Sequence, residues 1–85
     1  MPVVFRYKGI RFLFYSNEGN PREPIHIHAR GNGNDAKLWL YPAVGLAYSD
    51  GFSRQEQLEL IRIVEQHKGE IERAWNEYFS EESSF

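Results

Sequence analysis

The stretch Pro24-Ile25-His26-Ile27-His28-Ala29-Arg30-Gly31-Asn32-Gly33-Asn34-Asp35-Ala36-Lys37-Leu38-Trp39-Leu40 decides the fold. Asn-Gly between alternating apolar and polar residues is the strongest short-range hairpin signal, because both turn positions need positive φ. With Asn32-Gly33 as the turn, opposed positions sum to 65, as 32 and 33 do. Ile25 then meets Leu40, Ile27 meets Leu38 and Ala29 meets Ala36. Successive strand side chains face opposite ways, so the other face pairs His26 with Trp39, His28 with Lys37 and Arg30 with Asp35. Core pairs with core, and an opposite-charge pair closes the turn. Local turn chemistry and register agree, which is what a sequence that specifies one structure does.

Upstream, Val3 to Arg6 and Ile10 to Tyr15 read as two strands joined through Tyr7-Lys8-Gly9. A Lys8-Gly9 turn sets Val3 against Phe14, Phe5 against Phe12 and Arg6 against Arg11. The last pair is unfavourable, so both arginines splay into solvent or an anion sits between them. Ser16 to Pro21 is a breaker cluster and reads as a loop, after which Pro24 opens the histidine strand. The loop from Ser16 to Glu23 is expected to cover the Trp39 and Tyr41 side of the hairpin, since large aromatics facing only water are hard to explain. Downstream, Pro42 to Tyr48 suits a short edge or irregular strand, with Val44, Leu46 and Tyr48 alternating, and Ser49-Asp50-Gly51 breaks it.

Ser53 with Glu56 matches a capping box and opens a helical pattern. Leu60, Val64, His67, Ile71, Ala74 and Tyr78 form its apolar stripe, widened by Leu58, Ile61, Trp75 and Phe79. An uninterrupted run would approach ~40 Å, and Lys68-Gly69 midway predicts a kink or break. Strands followed by helices predict an α+β domain: an antiparallel sheet of four to five strands against a kinked C-terminal helix or two successive helices. Residues 1–80 form this domain and 81–85 a frayed tail.

The chain has 85 residues, a single small domain's worth, and no cysteine, which excludes a disulfide scaffold and a thiolate metal site. The first residues lack a signal peptide's apolar core and no run suits a membrane span, so the expectation is a cytosolic protein without membrane contact. The net charge of −2 hides a split. Residues 1–50 carry six Lys/Arg and four acids, residues 51–85 four and eight. That asymmetry marks a candidate interaction surface but is no nucleic-acid patch, so nucleic acid is a possible partner without support.

Three chemistries fit His26 and His28, which stand about 6–7 Å apart on one strand face. They can bind metal, with His67, Glu18, Glu23 or Asp35 as third ligand, although Lys37 nearby disfavours a cation. They can work as a catalytic acid/base pair, with Arg30 or Lys37 steadying a phosphate, the toolkit of a metal-independent ribonuclease. Or they are plain surface or core histidines, ordinary polar side chains on a half-exposed strand face beside Trp39 and Lys37. Arg30, Lys37, Trp39 and Tyr41 are the candidate binding residues beside them. His67, on the helix stripe, reads as a buried or boundary histidine with one hydrogen bond. No cofactor motif appears, and Gly31-x-Gly33 precedes a strand, unlike a phosphate loop.

The residues also carry a family resemblance. Met1-Pro2, Phe14-Tyr15-Ser16-Asn17-Glu18, Glu23-Pro24-Ile25-His26-Ile27-His28, Ala36-Lys37-Leu38-Trp39-Leu40, Gly51-Phe52-Ser53 and Ala74-Trp75-Asn76-Glu77-Tyr78-Phe79 resemble the small bacterial domain-of-unknown-function family four-one-six-zero. Its signature usually reads Pro-Pro-His-x-His, and here Ile25 replaces the second proline. The resemblance implies a product of a short, toxin–antitoxin-like operon with a small protein partner. It implies no activity that transfers residue by residue. The reading is therefore a protein-interaction component of such a pair, using the Trp39/His26 face or a sheet edge, with a small hydrolase acting through His26 and His28 as the alternative.

Overall fold

The computed structural model describes residues 3–15 and 23–83. Five strands, β1 (Val3–Tyr7), β2 (Ile10–Leu13), β3 (His26–Gly31), β4 (Asn34–Trp39) and β5 (Gly45–Asp50), are followed by helices α1 (Arg54–Gln66) and α2 (Lys68–Ser83). The sheet runs β1-β2-β3-β4-β5 with every neighbour antiparallel. The fold is α+β, at the five-strand and two-helix end of what the sequence allows.

The central hairpin has the register its turn dictates. Asn32 and Gly33 sit at φ 55° and 78°, and six pairs from His26↔Trp39 to Gly31↔Asn34 keep the sum of 65. Pairing continues one step past the strands, where Leu40 N–H donates to the Ile25 carbonyl at 3.3 Å. β3 opens at His26, two residues after Pro24. Gly31 is required by packing: a Cβ there would lie 2.8 Å from the Gly9 carbonyl oxygen, where the β1–β2 turn crosses it.

The first hairpin differs in one place. Phe5↔Phe12 and Arg6↔Arg11 pair as expected, but Val3 faces Leu13, not Phe14, because a bulge at Val4 shifts the register. Bulges insert an unpaired residue and twist an edge strand away from partners. β5 carries one as well: Lys37 pairs with Tyr48 but Leu38 with Leu46. That irregularity displaces the strand to residues 45–50, so Ser49 and Asp50, expected to break it, belong to it.

One sheet face and both helices enclose the core. Phe12, Ile27, Ala29, Ala36 and Leu38 pack with Leu60, Ile63 and Val64 of α1 and Ile71, Trp75 and Phe79 of α2. Each large apolar side chain among them stabilises by roughly 1.5–3 kcal/mol on burial. Ile63 joins this face although the stripe omitted it, and Leu58 leaves it, 57% exposed. The Ser53 capping box is complete, with Ser53 Oγ accepting from Glu56 N–H at 3.1 Å and Glu56 Oε1 from Ser53 N–H at 2.7 Å. The helix breaks at His67, one residue before Lys68. There the Ile63 carbonyl accepts from both the backbone N–H of His67 (3.1 Å) and its Nδ1–H (2.9 Å), which crowds the ladder. The imidazole stacks on Phe5 at 4.0 Å, pinning the corner to the sheet. α2 runs to Ser83, and residues 84 and 85 of the expected tail lie outside the described residues.

Glu59 ties α1 to the first turn. Tyr7 OH and Lys8 Nζ donate to its Oε2 at 2.9 and 3.4 Å. The Tyr7 hydrogen bond, then Lys8, lowers the Glu59 carboxyl below its usual range, and Glu59 raises the Lys8 ammonium. A lowered carboxyl contributes stability that is present above its unfolded value and lost as pH falls through the folded one. The expected outcome is that wild type melts above Glu59→Gln at neutral pH and that acidification through the carboxylate range closes the gap. A gap equally wide at neutral and acid pH would contradict this tie.

Candidate functional site

Parity along β3 turns His26, His28 and Arg30 away from the isoleucine face, yet the two histidines are not on open surface. His26 is 0% and His28 2% exposed. β3 is buried on both sides from residue 26 to 29. The imidazoles lie edge to face with ring centres 5.3 Å apart. Tyr15 covers His28 at 4.0 Å, while Trp39 and Trp75 meet His26 edge-on at 5.4 and 5.1 Å. His26 Nδ1–H donates to the Pro24 carbonyl at 2.8 Å. This bond fixes the ring's orientation at the mouth of the strand.

Edge-to-face packing places the positive rim of one ring on the negative face of the next, and each such pair adds about 0.5–1.5 kcal/mol beyond area burial. The row Tyr15–His28–His26–Trp39 is therefore a second, smaller core on the sheet's far side. Trp75 joins it to the main one, since the same indole packs against Phe14 and Phe79. Lys37 closes the row: its Nζ lies 4.5 Å from the Trp39 ring centre and 3.3 Å from Glu23 Oε1. Its stem covers apolar surface while the ammonium reaches a carboxylate, as long amphipathic side chains do.

Of the residues singled out from the sequence, His26, His28, Lys37 and Trp39 come together. Arg30 does not. It projects at the turn end of the hairpin, 3.8 Å from Asp35. Tyr41 stands apart too, half exposed with the Lys68 ammonium 4.1 Å from its ring centre. Glu23 is the one residue of the expected covering loop that can be placed; residues 16–22, including Glu18 as a third metal ligand, lie outside the described residues. His67 is half-buried with its one hydrogen bond, on the helix side of the sheet against Phe5. Among the described residues no group of three or more His, Cys, Asp or Glu is gathered to hold a metal ion.

Strand parity alone does not bring Tyr15 and Trp75 to the histidines. Tyr15 carries a partial signal, since Arg11, Leu13 and Tyr15 share one parity. Using it requires the β2–β3 register, which no turn specifies. A cleft of about 300 Å³ lies elsewhere, between β1 and α2, with Val3, Val4, Phe14, Ala74 and Tyr78 in its walls. No histidine lines it.

The match to known families agrees with these elements. The family model for a domain of unknown function, DUF4160, covers residues 9–76, from the first turn through the middle of α2. The chain belongs to the DUF4160 family. The matched region includes the histidine hairpin, Tyr15 and Trp75, so the far-side cluster lies wholly inside it, and β1 is the strand that falls outside. No curated protein and no solved structure matches the chain. No helix among the described residues is long and apolar enough to cross a membrane.

Because His26 fills space between two indoles, removing it leaves a void as well as an orphaned carbonyl. His26→Ala is expected to cost about 2–5 kcal/mol, the range for truncating a large buried side chain. Urea unfolding checks this, and a loss below ~0.5 kcal/mol, the scale of surface changes, would contradict the packing role.

Proposed function

We propose that this DUF4160 protein is a protein-interaction component of a toxin–antitoxin-like pair in a bacterial cytoplasm, and that it binds a small protein partner through the end of β4. The observation that carries this reading is the burial of both imidazoles, at 0% and 2% exposure. An acid/base catalyst must reach its substrate to within hydrogen-bond distance. These rings are occupied in packing against Trp39, Trp75 and Tyr15 instead.

What remains outside suits binding. Trp39 is half-buried beneath Lys37, and Tyr41, two residues on, is half exposed beneath Lys68. Interfaces concentrate their energy in large aromatics set among groups that exclude water. Here two aromatic rings lie at one end of the sheet, each with a cation over it. The sheet edges are poorer candidates, because both edge strands carry bulges that discourage strand addition.

Truncating Trp39 or Tyr41 to Ala is expected to weaken capture of the product of the adjoining gene at least roughly tenfold, the scale of a modest hot spot. Isothermal titration against that product measures it, and undiminished affinity in both variants would refute the interface. A ribonuclease assay on wild type and His28→Ala addresses the enzyme alternative: cleavage by wild type that the substitution abolishes, with the fold intact, would replace this reading.

A further inference from the structure

One row of charged side chains crosses all five strands. The register joins Arg6 to Arg11, Arg11 to Arg30, Arg30 to Asp35 and Asp35 to Asp50. Directly opposed residues of antiparallel strands project from the same face. From β1 to β5 the row therefore reads Arg-Arg-Arg-Asp-Asp, on the face away from the helices. Neither bulge interrupts it, since both shifts lie further along the strands.

Within one chain this arrangement is unfavourable. Three of its four junctions set like charges side by side, and like charges directly opposed destabilise a sheet. Only Arg30 and Asp35 are complementary, at 3.8 Å. Arg6, Arg11 and Asp50 are exposed, and among the described residues none of the three takes part in an ion pair. Charge of either sign from outside would relieve only half of the row. A polyanion such as nucleic acid would meet the arginines but be repelled by Asp35 and Asp50, on a chain already at −2.

We propose that this row is the centre of a two-fold interface with a second copy of the chain. Read backwards, Arg-Arg-Arg-Asp-Asp is its own complement at both ends. A two-fold axis parallel to the strands, above β3 and between two facing sheets, sets Arg6 against the second copy's Asp50 and Arg11 against its Asp35. Symmetry repeats both contacts, as an isologous interface requires. Arg30 lies on the axis, held by Asp35 of its own chain. Facing sheets pack about 10 Å apart, a gap that an arginine and an aspartate reaching toward each other can bridge. The like-charge neighbours that cost stability in the single chain become the pattern that selects the copy and its orientation. This proposal needs only the chain itself and stands independently of any other partner.

The test uses purified full-length protein, Arg6→Asp, Asp50→Arg and their equimolar mixture, in sedimentation equilibrium at low and high salt. Wild type is expected to self-associate at low salt and to dissociate as added salt shortens the Debye length. Each variant turns two cross-copy attractions into repulsions and should weaken association roughly tenfold or more. The mixture should recover it as a heterodimer. There the aspartate introduced in one copy faces the arginine introduced in the other, and the remaining Asp50 faces the remaining Arg6. Each variant also gains an opposite charge beside Arg11 or Asp35 in its own chain, so each should melt no lower than wild type. A wild type that stays monomeric at low salt, variants that associate as tightly as wild type, or a mixture that fails to recover would each overturn the proposal. So would a monomeric wild type that retains a labelled single-stranded oligonucleotide and loses it on Arg6→Asp, which would assign the arginines to nucleic acid.

Discussion

Everything on this sheet is referred to one turn. Asn32 and Gly33, both at positive φ, make the two-residue connection that matches the natural twist of a hairpin. Because strand side chains alternate with a period of two, a slip of β3 by one residue would carry Ile27 and Ala29 out of the helix-facing core and drive His28 and Arg30 into it. The turn prevents this. With it fixed, β2 and β5 add to a template whose faces are already assigned, and α1 and α2 have a surface to cover. Gly31 reinforces it, because only a residue without a side chain lets the first turn approach so closely.

The same register also builds the far side. An antiparallel sheet of this kind commonly packs one face and wets the other. Here the turn end of the far face is wet and carries the charged row, while β3 at its other end is dry. Two imidazoles occupy that end, with Tyr15, Trp39 and Trp75 about them. His26 serves there because its ring packs as an aromatic while its Nδ1–H answers the Pro24 carbonyl, which an all-carbon ring would leave without that donor. Trp75 reaches both cores, so the helix layer and the far-side cluster are mechanically one. In a chain of 85 residues, where the buried fraction is limited by size, one indole serving two cores matters more than it would in a larger domain.

How much of this was legible depends on how local the cause is. The central hairpin, down to each cross-strand pair, follows from two turn residues and parity. The Ser53 cap and the two-helix break follow from short-range chemistry, although the break falls at His67, whose backbone N–H and Nδ1–H share the Ile63 carbonyl, one residue before Lys68. Bulges at Val4 and Ala47 left no signal, since they depend on how an edge strand twists against its neighbour. The burial of His26 and His28 was out of reach for the same kind of reason. Parity places both on one face, but only tertiary packing brings Tyr15 and Trp75 over them. The charged row was half visible, as Arg6 with Arg11 and Arg30 with Asp35; joining the two halves requires the β2–β3 register, which no two-residue turn sets.

A packed histidine cluster requires both sides of β3 to be closed. Carbethoxylation of the histidines, followed residue by residue by mass spectrometry, measures that directly. The folded protein should leave His26 and His28 unmodified over times in which the urea-unfolded chain reacts completely. Modification of either ring in the folded state at a rate near that of the unfolded chain would mean an open histidine face, and the packed cluster described here would be wrong.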